Sequence, residues 1–205
     1  MRLWTIQHYK AYVTLLSTGL LLANEENLFS EDDFQYAYDW MADRMIEANI
    51  LPPQKVRYPI WAWYQWEGKR KRLDMRGSGH AKRGEKIVQL TIDVDDKDVL
   101  LSDFDLFHYP LNYWYLLLDE ADDVAFESDY INAGFTWHDL QDFRIQSKEM
   151  LFFRERIIKS WDHIFELERE DDGWLYGRNE AKSVQATLWQ VKLEQVVKAE
   201  IFNAK

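Results

Sequence analysis

The sequence predicts an α+β fold, a single mixed, mainly antiparallel sheet flanked by helices, in one domain spanning residues 1–205. Three observations predict it. Runs near residues 2–7, 57–66, 87–94, 184–193 and 197–202 alternate apolar with polar side chains or concentrate aromatic and β-branched residues, as half-buried strands require. Two longer stretches, near residues 30–48 and 147–165, carry apolar residues at helical spacing behind Ser-initiated starts. No repeat or low-complexity linker divides the chain, and 205 residues with 16% aromatics and ten Trp can build a sizeable, ring-rich core.

In the first strand Leu3 and Thr5 face one way and Trp4 and Ile6 the other, so Thr5 or Gln7 can present a polar group at its end. Residues 8–18 read as a short helix with Ala11, Leu15 and Leu16 near one face and Gly19 as its stop; His8 reads as an exposed turn residue. Ser30 can cap the next helix, with Glu31, Asp32 and Asp33 complementing its positive end. Phe34, Tyr38, Met41, Met45 and Ala48 form that helix's packing stripe, and Pro52-Pro53 prevents its continuation. Ile60, Ala62 and Tyr64 then alternate against Trp61 and Trp63 in a strand whose start Pro59 places at an edge or an entry. A basic loop covers 68–86, strands follow at 87–94 and 99–101 around an Asp95-Asp96 turn, and a helical insertion occupies about 106–167. Within it, 111–118 reads as helix, 119–129 as an acidic exposed connection, and Thr136 and Ser147 as caps of two later helices.

A formal net charge of −11 excludes a uniformly basic nucleic-acid coat. Yet the loop gathers Lys69, Arg70, Lys71, Arg72, Arg76, Lys82, Arg83 and Lys86. Its plain reading is a solvated loop; its functional reading is a docking patch for phosphates, nucleic acid or an acidic protein at Lys69, Arg70, Lys71 and Arg72 and at Lys82 and Arg83. The absence of cysteine excludes disulfides, a thiolate nucleophile and Cys-based metal sites. With no leader-like start and no apolar run long enough for a bilayer, the expectation is a soluble cytoplasmic protein without a membrane segment.

The costliest stretch is 99–115, which sets Asp103, Asp105, His108 and Asn112 among large aromatics. Burying such groups is unfavourable by several kcal/mol (roughly 2–7) unless each finds a partner, so they are either tied into a turn or used by a ligand. The structural alternative has Asp103 or Asp105 capping the turn and His108 bonding a backbone carbonyl. Asp-Xaa-Asp followed by a single His lacks the convergent ligand set of a metal site, and no metal is predicted. Ser102 beside Asp103 and His108 lists triad residue types, but no Gly-Xaa-Ser-Xaa-Gly elbow is present.

Leu3-Trp-Thr-Ile-Gln7, Trp40-Met41, Pro59-Ile-Trp-Ala-Trp63, Leu73-Asp-Met-Arg76, Leu100-Leu-Ser-Asp-Phe-Asp105 and Val184-Gln-Ala-Thr-Leu-Trp189 together resemble a bacterial family known only as a domain of unknown function. The opening strand, short helix and Gly19-Leu20 are also similar to ADP-ribosyltransferase-like proteins, with Gln185-Ala-Thr187 similar to the segment bearing their catalytic glutamate. Thr5 stands where a histidine is usual and Thr187 where the glutamate is expected. A carboxylate stabilises an oxocarbenium-like state far better than a hydroxyl does, and a carboxylate from elsewhere, such as Asp103 or Asp105, could compensate. The resemblance implies a cleft for NAD or a related nucleotide. Trp4, Gln7, Trp61, Trp63 and Asn112 would contact it, Arg72 and Arg76 would meet phosphate, and Asp103, Asp105, His108 and Gln185 would form the polar centre. The alternative is a non-enzymatic interaction or regulatory protein, for example in phage–host conflict, that docks its partner through the basic loop.

Overall fold

The computed structural model describes residues 1–23, 34–75, 81–171 and 175–205. Ser30, Glu31, Asp32 and Asp33, and Arg76 with the Gly77-Ser78-Gly79 stretch, lie outside them. The alternating first run forms β1 (Arg2–His8), flanked by β3 (Ile60–Gln65) and β4 (Lys86–Asp93). Beyond β4 lies β8 (Val196–Asn203), and beyond β3 lie β6 (Val184–Leu188) and β5 (Leu100–Asp103). The order is β5-β6-β3-β1-β4-β8. Each of its neighbouring pairs is antiparallel, so no parallel pair occurs among the described residues. The α+β class holds. Pro59 marks an entry and not an edge: β3 is interior, and a proline just ahead of a strand removes no ladder donor.

Strand pairing sorts the side chains onto two faces. One buries Leu3, Ile60, Ala62, Val88, Leu90 and Ala186 against Leu15 of α1 (Tyr9–Thr18). Leu21 and Val191, from a small antiparallel sheet of β2 (Leu20–Leu22) and β7 (Gln190–Lys192), complete this core. Gly19 ends α1 at φ +76°, returning its N–H to the Leu15 carbonyl at 2.8 Å. The expected strand over 184–193 is therefore two strands: Trp189, buried with its indole N–H donating to Ile50 O at 2.8 Å, pins the bend between them.

The other face meets a helical layer built from α2 (Gln35–Glu47), α3 (His108–Asn112), α4 (Glu120–Asn132), α5 (Trp137–Gln141) and α6 (Lys148–Ser160). Its core gathers Met41, Phe107, Phe126, Met150, Ile157 and Trp161. Thr136 and Ser147 cap α5 and α6 through side-chain oxygens that accept from Asp139 N and Met150 N. Two expectations change here. The helix expected at 111–118 is the shorter α3, ended by Tyr113 in the left-handed region at φ 56°. The acidic connection at 119–129 is instead α4, which Asp119 caps by accepting from Asp122 N, with Glu120, Asp122 and Asp123 in its first turn complementing the dipole.

Tyr176 closes the helical layer, buried with its hydroxyl donating to Leu117 O at 2.9 Å. Burial pushes its pKa from 10.0 up to about 12. A proton held more tightly when folded gives a contribution that is complete below the unfolded value and lost as pH rises through the folded one. The urea midpoint should therefore fall between pH 10 and 12, in step with tyrosinate absorbance, and Tyr176→Phe should flatten that fall.

No described helix is long and apolar enough to cross a membrane.

Candidate functional site

Directly opposed residues of antiparallel neighbours share a face, and four strands align here. Trp4 opposes Trp63, Trp63 opposes Gln185, and Gln185 opposes Ser102. One step along, Trp61 opposes Thr187 and Thr187 opposes Leu100. Trp4, Trp61, Trp63 and Gln185 are thereby brought onto the face that also carries the helical layer. Gln185 is buried and donates to Ser102 Oγ at 3.1 Å.

The rings continue beyond those residues. Trp63 lies 4.7 Å from both Trp66 and Phe104, and Phe104 lies 5.3 Å from the His108 ring. Trp61 sits 4.7 Å from Phe107 and 5.5 Å from Tyr38 of α2. Trp61, Trp63, Trp66 and Phe104 are all half-buried, so a partly open aromatic surface borders the Gln185–Ser102 pair. The Trp61 indole N–H is buried without a hydrogen-bond partner among the described residues, an orphan donor on this same face.

Trp66 and Phe104 were not among the residues the sequence suggested. A spacing of three sends two strand residues to opposite faces, but a bulge at Tyr64 inserts one extra residue between Trp63 and Gln65. That insertion returns Trp66 to the side of Trp63. The Trp63–Trp66 run was visible in the sequence; the bulge was not.

The basic segment crosses the neighbouring part of this face. Trp66 and Lys69 close a tight turn through reciprocal N–H···O bonds of 3.0 Å, with Glu67 and Gly68 at φ 48° and 71°. Arg70 stacks 3.5 Å from the Tyr64 ring and 5.5 Å from the Trp4 ring, and its guanidinium donates to the Tyr64 and Arg2 carbonyls. Arg72 is held by Glu200 of β8, its expected phosphate role facing competition from that ion pair. Lys69, Lys71, Lys82 and Arg83 are exposed.

The other predicted residues do not join the ring surface. Gln7 lies on the opposite face from Trp4, where its amide donates to Thr5 Oγ1 at 2.7 Å. Thr5 is fully buried and donates to Trp61 O at 2.7 Å; Thr187, also fully buried, donates to Leu100 O at 3.2 Å. Asp103 Oδ1 accepts from the N–H groups of Asp105 and Leu106 at 2.9 and 3.1 Å, which makes it the cap of the turn into α3. Burial pushes the Asp103 carboxyl above the usual carboxylate range, opposed by the Leu106 N–H bond and by nearby Lys182. Asp105 is exposed, and its carbonyl lies 3.1 Å from His108 Nδ1. Asn112 folds back to donate to His108 O at 2.7 Å. Asp103, Asp105, His108 and Asn112 thus form a hydrogen-bonded turn of which only the His108 ring touches the aromatic surface, while Gln185 stands apart from it, opposite Trp63. No cluster of three metal-ligating side chains occurs among the described residues.

A cavity of about 590 Å³ opens on the helical side, lined by Tyr113, Phe143, Leu151, Ile158 and charged neighbours. None of the predicted site residues lines it.

No curated protein and no solved structure matches the chain significantly. A family model does, over residues 2–197, and the chain accordingly belongs to the family described as a domain of unknown function, DUF3841.

Proposed function

We propose that this protein binds a nucleotide-type ligand such as NAD on the ring-lined face of its sheet. The observation that carries the reading is the convergence of half-buried Trp61, Trp63, Trp66 and Phe104 beside the Gln185–Ser102 pair. Planar bases stack on such rings, the exposed His108 ring beside Phe104 offers a directional bond to a base edge or ribose, and the buried Gln185–Ser102 pair forms the floor beneath Trp63. The exposed Lys69 and Lys71 on the adjoining hairpin offer charge to phosphate. The proposal is for binding in an ADP-ribosyltransferase-like manner. Thr5 and Thr187, where that family's histidine and glutamate are usual, are spent on buried backbone bonds, and Asp103 is spent on its turn.

The test is thermal unfolding with and without 1 mM NAD, because a ligand that binds only the native state raises the midpoint by mass action. A Kd of about 10 μM would stabilise by about 2.7 kcal/mol, a shift of roughly 5–10 °C for a chain of this size. Trp63→Ala and Gln185→Ala should each shrink the shift while leaving a cooperative transition. An unchanged midpoint, or a shift indifferent to both substitutions, rejects the ring face as the site.

A second reading rests on the exposure of Lys69, Lys71, Lys82 and Arg83: the basic loop at 68–86 docks nucleic acid or an acidic protein. Its binding would weaken steeply with salt and with neutralisation of Lys69 and Lys71, and would be insensitive to Gln185→Ala.

A further inference from the structure

We infer that the outer edge of β8 pairs with β8 of a second copy of this chain, antiparallel about a two-fold axis at Ala199. Among the described residues β8 ends the sheet, hydrogen-bonded to β4 on its inner side. The opposite end differs, since β5 spans only four residues and packs on the 3-10 segment Trp161–Phe165. β8 is eight residues long, Val-Val-Lys-Ala-Glu-Ile-Phe-Asn, without Pro or Gly, and Val197 and Ile201 are 54% and 49% exposed. An edge of that kind offers a row of backbone donors and acceptors to another strand.

Proteins often guard such an edge with a lysine, because two copies then repel. β8 departs from that pattern. Lys198 and Glu200 oppose Thr91 and Gln89 of β4 and so share one face. Pairing centred on Ala199 sets Lys198 against Glu200 of the second copy, and Glu200 against Lys198 of the second copy. Centring on Glu200 would oppose Glu200 to itself, and centring on Lys198 would oppose the lysines. Charge therefore selects one register. In that register Val197, beside the bulge near Ile92, meets Ile201 of the second copy. Within each chain Lys198 Nζ already lies 3.0 Å from Glu200 Oε1, with Arg72 on the other Glu200 oxygen, so the incoming lysine joins an existing charge cluster. The strand itself has no net charge on a chain of −11, so the paired edges add no net repulsion of their own.

Sedimentation equilibrium of the full chain, across low to high micromolar concentrations, should show a reversible dimer. Lys198→Glu and Glu200→Lys should each weaken it by at least about tenfold, since each turns two attractive cross-strand pairs into repulsive ones. Mixing the two variants should restore it, because every cross-strand pair in the heterodimer is again opposite in sign. A chain that stays monomeric throughout, or variants whose mixture associates no better than each alone, overturns the inference. Ala199→Cys gives a readout that does not depend on those charges: the chain has no other cysteine, so mild oxidation should yield a disulfide-linked dimer. Failure of that link while the wild type dimerises would place the interface elsewhere.

Discussion

Gly68→Ala lowers the unfolding free energy by about 3 kcal/mol or more, read as a fall in the urea midpoint at unchanged slope. Gly68 sits at φ +71° as the second central residue of the Trp66–Lys69 turn, a conformation that costs a Cβ-bearing residue about 1–2 kcal/mol. The larger cost is steric. A Cβ there would lie 1.6 Å from the Glu180 carbonyl oxygen, and backbone cannot swing aside as a flexible side chain would. The Gly68 N–H also donates to Lys182 O at 2.8 Å, and Gln65 Nε2 bonds the Lys182 carbonyl as well, so the turn is locked to the entry of β6. Displacing it should move Trp66 off Trp63 and reduce ligand binding on the ring face along with stability. Glu67→Asn supplies the control: at φ 48° the same turn favours Asn, so that variant should be neutral or slightly stabilising. If Gly68→Ala unfolds at the wild-type midpoint, the close approach of the hairpin to residues 180–182 is wrong.

Trp161→Ala should cost about 3–5 kcal/mol, the usual range for emptying a large buried ring site. The Trp161 side chain is 1% exposed, and its indole N–H donates to Trp114 O at 2.7 Å. Around it stand Trp40 at 5.5 Å and Tyr113 at 5.4 Å, both edge-on, with Tyr36 at 6.3 Å. Those neighbours come from α2 and from the stretch after α3, so truncation loosens the contact between segments distant in sequence. Trp161→Phe should recover about half of the loss, restoring ring contacts without the N–H bond. Near-equal losses for the two variants would assign most of the energy to the Trp114 hydrogen bond.

Much of the fold was legible because it is written locally. Period-two alternation marked β1, β3 and β4, and Thr136 and Ser147 announced α5 and α6 because a cap is a contact between residues three apart. Acidic residues at 119–129 misled for a related reason: high charge suggests an exposed connection, yet Asp119 and the acids after it suit a helix start, and only Phe126 and Tyr130 on its inner side reveal what α4 buries. β2 escaped notice because three leucines carry no alternation, and its pairing with β7 joins residues about 170 positions apart. For the candidate site, the costly polar stretch stood out in the sequence, and local bonds satisfy Asp103 and Asn112 within four residues of each.

By itself the sequence determined the α+β class, the caps, the strand alternation that sets Trp4 apart from Gln7, and the polarity of the loop at 68–86, since each depends on neighbours within a helical turn or a strand repeat. Tertiary structure alone decided that Trp63 and Gln185 face each other, that a bulge turns Trp66 beside them, that Arg72 reaches Glu200, and that β8 ends the sheet. Those outcomes depend on strand order and register, which arise from pairing between distant segments and leave no periodic trace in either one.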